Sequence, residues 1–191
     1  MLYHHPLHVG SSAKEVVTMS GEKELQKAYE SILGQHFEQA VEWFQKAIEQ
    51  DPDNPDYHYK LSITYARSGR IDEALAHARK AASLAPDGAE YGIQVRALEA
   101  KQLIATAERL IAEGPSGDAL ATTYLRQALA LDPLEEGAYV LLASTLYRME
   151  EYTSAMAALK ELLELSPNHR TASALLEQIK SSFAVYLEER T

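Results

Sequence analysis

The sequence predicts an all-α fold built from repeated antiparallel helix pairs, and three observations carry the prediction. First, four helix-ending turns look alike: Glu49-Gln50-Asp51-Pro52, Ser83-Leu84-Ala85-Pro86, Ala130-Leu131-Asp132-Pro133 and Glu164-Leu165-Ser166-Pro167. Their prolines are spaced by 34, 47 and 34 residues. Second, three slots upstream of each proline repeat. Twelve residues before it stand Ala40, Ala74, Ala121 and Ala155; eight before it, Phe44, Ala78, Leu125 and Leu159; five before it, Ala47, Ala81, Ala128 and Leu162. Third, steps of four and three keep these slots on one helix face, and a proline ends such a run.

Four units follow, at about 22–53, 54–87, 88–134 and 135–168, closed by a capping helix over 168–189. In unit one, Leu25, Ala28, Tyr29 and Ile32 carry the apolar side of the first helix. Glu24, Lys27 and Ser31 stand where an inner repeat has inward apolar residues, as expected of a terminal unit with no full unit before it. In unit two, Leu61, Ser62 and Tyr65 form the inner face of a helix that Asn54 caps and Pro55 begins. Gly69 ends it with a left-handed residue. Unit four repeats this with Tyr139, Leu142, Ala143 and Leu146, and Tyr152 stands where unit two has Ile71.

Unit three is 13 residues longer than the 34-residue period. Ile93, Ala97, Ala100, Ile104, Ala107 and Ile111 recur at helical steps, so residues 89–112 read as one long helix before the Gly114-Pro115-Ser116-Gly117 turn. The extra length, about three and a half turns, is expected to project or bend. Tyr91, Ile93, Val95 and Leu98 on it then need a cover: a partner, a second copy or this chain's own N-terminal segment. In the last segment Leu175, Leu176, Ile179, Phe183 and Tyr186 share a face opposite Glu177, Lys180, Ser181 and Glu188. Phe183 and Tyr186 read as the last core contacts. Residues 1–20, unlike the rest, read as an N-terminal arm, and 21–191 as one repeat domain.

Together these features resemble the tetratricopeptide repeat (TPR) family over roughly residues 22–167. The resemblance implies a right-handed superhelical solenoid whose first helices line a concave, peptide- or helix-binding face. Carried over slot by slot, that face would present Leu25, Tyr29 and Leu33; Tyr59, Lys60, Ile63 and Arg67; Leu103 and Leu110; and Val140, Ser144, Tyr147 and Arg148. Tyrosines there would give contact area and orientation, and Arg67 and Arg148 would meet carboxylates. In TPR domains that clamp a chaperone's C-terminal carboxylate, Lys and Asn fill particular slots. Here those slots hold Leu25, Tyr29, Lys60, Leu103 and Ala107, so a partly apolar peptide or helix is the better fit.

Composition agrees with a protein-binding role. The 191 residues are 46% hydrophobic and 24% charged, with a net charge of −10. That balance disfavours a phosphate-backbone ligand. The chain has no cysteine, which removes disulfides and thiolate chemistry and leans intracellular. No window approaches the ~18 apolar residues of a membrane span, and residues 1–20 lack signal-peptide regions, so the cytoplasm is the expected compartment.

No nucleotide loop G-x-x-x-x-G-K-S/T, no G-x-G-x-x-G, no G-x-S-x-G and no H-E-x-x-H occurs. The stretch from Asp51 to Asp56 lacks the glycine and glutamate of a calcium loop. His4, His5 and His8 are imidazoles without a fixed frame, and His36, His58, His77 and His169 are scattered. The expected function is a non-catalytic interaction adaptor without cofactor or metal. The alternative is a self-associating scaffold that uses the long helix of unit three.

Overall fold

The computed structural model describes residues 12–190, with side chains from Gly21 onward. Among the described residues nine α-helices follow in order: α1 (Ser12–Leu33), α2 (Phe37–Gln50), α3 (Pro55–Arg67), α4 (Ile71–Leu84), α5 (Ala89–Ala112), α6 (Asp118–Leu131), α7 (Glu136–Arg148), α8 (Tyr152–Leu165) and α9 (Arg170–Glu188). A 3-10 turn at Pro115–Gly117 leads into α6. The described residues hold no strand, and none of their helices is long and apolar enough to cross a membrane. Consecutive helices joined by turns of a few residues pack as antiparallel pairs. Two compact units emerge, up to Val95 and from Arg96 onward, where the sequence reads as one domain. The boundary falls inside α5.

The repeated slots are the core. All twelve residues at the three proline-aligned positions, from Ala40 to Leu162, have zero solvent exposure. Where two helix backbones come close, alanine fits and larger side chains do not. The aligned prolines themselves are exposed. They act on the residue before them: Asp51, Ala85, Asp132 and Ser166 all take extended backbone, with φ between −132° and −138° and ψ between 79° and 90°. A residue before proline is pushed out of the helical region, so each second helix stops at the same place.

First helices end differently. Gln35, Gly69 and Glu150 have positive φ, at 61°, 80° and 61°. One residue later, His36, Arg70 and Glu151 each donate their N–H five residues back, to Ser31, Tyr65 and Leu146. This is the paired closure of a Schellman turn. Asn54 Oδ1 accepts from the amides of Asp56 (3.1 Å) and Tyr57 (3.4 Å), so the Asp51–Asp56 stretch is a turn plus a cap, as read. At the entry to α9, His169 Nδ1 accepts from the amide of Ala172 at 3.0 Å.

Helix α1 begins at Ser12, within the segment read as an arm. At Gly21 the chain approaches α3 closely: a β-carbon there would lie 2.6 Å from the Tyr57 hydroxyl. Two expectations need correction. Ser31 does not belong to an outward polar face. It is 6% exposed and donates to the Lys27 carbonyl (2.8 Å) and to Gln39 Oε1 on α2 (3.2 Å). The long helix does span 89–112, but its four apolar residues do not all await a cover. Tyr91 and Leu98 are buried, Val95 is half-buried, and Ile93 alone stands out, at 56% exposure. Tyr91 is held within the first unit, its ring edge-on to Tyr59 at 5.3 Å and its hydroxyl donating to Asp56 Oδ1 at 2.8 Å.

Candidate functional site

In the second unit, Val140 and Ser144 are four residues apart on α7 and therefore share one face. Two adjoining depressions meet at this pair. The first, about 470 Å³, also takes in Ile104 and Glu108 of α5, Gly137, Ala138 and Leu141 of α7, and Thr171 of α9. The second, about 520 Å³, adds Arg170, Ala174, Leu175 and Gln178 of α9. The lining helices α5, α7 and α9 are the first helices of their pairs and the closing helix. Small residues at Gly137, Ala138 and Ala174 leave the floor low, and Val140, Leu141 and Leu175 stay partly exposed on it.

Charges around this floor are unevenly committed. Glu135 receives Lys101 Nζ at 3.2 Å, and Glu136 lies 3.6 Å from His169 Nε2. Glu108 and Arg170 are exposed, and neither pairs with any described residue.

Sequence reasoning placed four residues of α7 on the face; Val140 and Ser144 line the depressions, and the other two also have partners within the molecule. The Tyr147 hydroxyl bonds Ser182 Oγ of α9 at 2.7 Å, and its ring meets Tyr152 at 5.9 Å. The Arg148 guanidinium is taken by Asp118 of α6: Nε donates to Oδ2 at 2.7 Å and a terminal nitrogen to Oδ1. Each is thus engaged by a neighbouring helix, while the Arg148 guanidinium stays 43% exposed. Tyr152 in turn lies against Phe183 (5.4 Å) and Tyr186 (5.2 Å), so these two are core-edge contacts, as expected. On α5 the lining residues are Ile104 and Glu108 rather than Leu103 and Leu110. Leu110, like Ile104, packs against the core but lines neither depression. The 13 extra residues hide the phase of this helix from any alignment with its neighbours.

In the first unit the expected residues are spread along α1 and α3. Tyr29 is 42% and Leu33 85% exposed, with Tyr29 edge-on to Phe44 at 6.1 Å. Leu25, Tyr59, Lys60 and Ile63 are half-buried, and Arg67 is exposed. Sequence reasoning missed a cleft of about 340 Å³ on this unit, lined by Lys27, Glu30, Ser31, His36, Gln39 and Trp43. Trp43 lies between Lys27 Nζ at 4.1 Å and Lys46 Nζ at 4.0 Å, two cation–π contacts.

Two titrating groups sit inside this unit. Burial, and then the neighbouring His58, hold the His77 imidazole below its ordinary range. The hydrogen bond to Asp56 pushes the Tyr91 phenol up to about 12. Among the described residues no group of three His, Asp or Glu is placed to hold a metal ion. His4, His5 and His8 lie outside them.

A family model for the TPR repeat matches residues 33–69, and two for the tetratricopeptide repeat match 55–87 and 110–179. This chain belongs to the tetratricopeptide repeat family. The TPR models leave 88–109 unmatched, the stretch that holds the extended part of α5. No curated protein matches the chain. Among solved structures, the TPR stack is similar to that of YrrB, described as a TPR protein with an unusual peptide-binding site. The TM-score is 0.51 at 17% identity, over 84% of this chain and 76% of that one. It is similar also to the crystal structure of MamA protein (TM-score 0.50, 19% identity, 90% and 92% covered). MamA 41-end from Desulfovibrio magneticus RS-1 gives 0.50 at 16%, with 85% and 94% covered. At these identities the likeness concerns the fold.

Proposed function

We propose that this TPR protein is a non-catalytic interaction adaptor that takes a peptide or helix of a partner protein against its first helices. The observation that carries the reading is the meeting of two depressions at Val140 and Ser144. Partly exposed Val140, Leu141 and Leu175 would contribute by apolar burial, at about 25 cal/mol per Å², less the cost of ordering the ligand. Leu25, Tyr29, Tyr59, Lys60, Ile63 and Arg67 are proposed as the contact residues of the first unit. Tyr147 and Arg148 complete the proposed set on α7, where Ser182 and Asp118 also engage them. YrrB, similar in fold, is described as having a peptide-binding site, which supports a peptide as the ligand class. The acidic balance, −10 overall, favours protein over nucleic acid. The cytoplasm is the proposed compartment, on the cysteine-free composition.

The test is affinity capture with the wild type and with Val140→Glu, each checked by circular dichroism. A partner retained by the wild type and lost from the folded variant supports the reading. Equal capture by both would remove Val140 from the site.

A second reading, self-association through α5, rests on Ile93, which is 56% exposed. Sedimentation across a concentration series decides it. A monomer at every concentration, unchanged by Ile93→Asp, ends that reading.

A further inference from the structure

The depressions of the second unit differ in charge from one side to the other. On the α5 side stands Glu108, whose carboxylate meets no cation among the described residues; on the α9 side stands Arg170, whose guanidinium meets no anion there. Between them the floor is apolar, formed by Val140, Leu141 and Leu175, and both depressions share the Ser144 and Thr171 hydroxyls. The other acid lining the depressions, Glu135, is paired with Lys101, and Glu136, 3.6 Å from the His169 imidazole, lines neither of them. The floor therefore lies between one spare negative and one spare positive charge. Neighbouring helices pack about 8–10 Å apart, so crossing from α5 over α7 to α9 covers roughly 16–20 Å. An extended chain, rising about 3.3 Å per residue, makes that crossing in about five or six residues.

We propose that this groove selects an extended peptide segment of about six residues, with a basic side chain at Glu108, an acidic group at Arg170 and apolar side chains between. The inference rests on the adaptor reading above and adds the chemistry of the partner and its polarity across the groove. Both charges are exposed, so each pair adds modest affinity and acts mainly on choice and orientation. Matching two opposite charges also discriminates against segments of uniform sign, which put a like charge at one end.

The test uses labelled hexapeptides of the pattern K-A-L-L-A-E and its reverse, with Lys, Glu or both replaced by Gln, titrated by fluorescence anisotropy at low salt. The doubly charged peptide should bind tightest. Glu108→Gln should weaken the Lys-bearing peptides about two- to fivefold and leave the Lys-free ones unchanged; Arg170→Gln should do the same for the Glu-bearing ones. Glu164→Gln, at an exposed site on α8, is the control for general charge and should change nothing. Equal weakening of all peptides by the charge variants, or none, overturns the inference while Val140→Glu still abolishes binding and the adaptor site stands. Failure of the adaptor site looks different: no peptide binds the wild type at millimolar concentration, or Val140→Glu binds them all unchanged, and the inference falls with it.

Discussion

Arg148 on α7 closes both prongs of its guanidinium on Asp118 at the start of α6, and Asp118 is only 2% exposed. The pair ties the third repeat to the fourth. Removing the arginine strands a buried carboxylate, which is costlier than the pair is worth. The guanidinium itself is 43% exposed, so water relieves part of that cost. Arg148→Ala should lose about 2–3 kcal/mol in urea unfolding, below the 3–5 typical of a fully buried pair. Arg148→Leu combined with Asp118→Leu should cost less than the two single changes added together. A loss within 0.5 kcal/mol for Arg148→Ala would mean that Asp118 finds water instead.

The His58–His77 contact gives the first unit an acid limit. His58 Nε2 lies 3.0 Å from the Pro52 carbonyl and so carries the proton. Its Nδ1 must then accept from His77 Nδ1–H, 2.9 Å away. The His77 ring lies between His58 (5.2 Å) and Tyr65 (5.6 Å), and Arg70 covers Tyr65. The folded state resists protonating His77, so the unfolded chain takes up the proton first. Stability should be full above the ordinary imidazole range, about pH 6.5, and fall as pH drops below it. In His77→Gln the amide can still donate to His58, and its melting temperature should vary less between pH 7 and pH 5. An identical pH profile in both proteins would clear this pair of responsibility.

Tyr91 sets the opposite limit. Its phenol is pushed up to about 12. A raised folded value means the contribution is complete below the ordinary phenol range, near pH 10, and is lost between there and about 12. Tyr91→Phe should cost about 1 kcal/mol at neutral pH and remove that alkaline loss. Ultraviolet titration of tyrosinate should show one late-ionising group that is absent from the variant.

The left-handed residues are open to improvement. Gln35 and Glu150 sit at φ 61°, the place that Gly69 occupies in the second repeat. A side chain there costs about 1–2 kcal/mol in backbone energy, partly offset by glycine's greater freedom when unfolded. Glu150→Gly should therefore raise stability by about 0.5–1 kcal/mol, and Gly69→Ala should lower it by a similar amount. Calorimetry that found Glu150→Gly destabilising would point to a contact made by that side chain.

Much of this architecture is written locally. Period, proline and alanine positions mark the packed face, and the twelve aligned residues are those with no exposure. The extent of α5 is legible too, since nothing within 89–112 breaks a helix decisively. Misreadings arise where the decisive partner is remote in sequence. Ser31 reads as part of an outward polar face until Gln39 of α2 is brought to it, and the polar partners of Tyr147 and Arg148, Ser182 and Asp118, lie 35 and 30 positions away. The close approach at Gly21 is not legible locally, because Tyr57, which fills the space its missing side chain leaves, is 36 positions away. The choice of Ile104 over Leu103 as a lining residue depends on the rotation of a helix with no repeat to calibrate it.

Trp43 is the only tryptophan in the chain, and it stands in the first unit, flanked by two ammonium groups. Its emission therefore reports on one of the two units, whereas helical ellipticity sums over both. If the chain melts as a single cooperative body, the two signals trace one curve. If the division within α5 is also a division in folding, the fluorescence midpoint separates from the ellipticity midpoint, and the protein carries its own dye for telling the two cases apart.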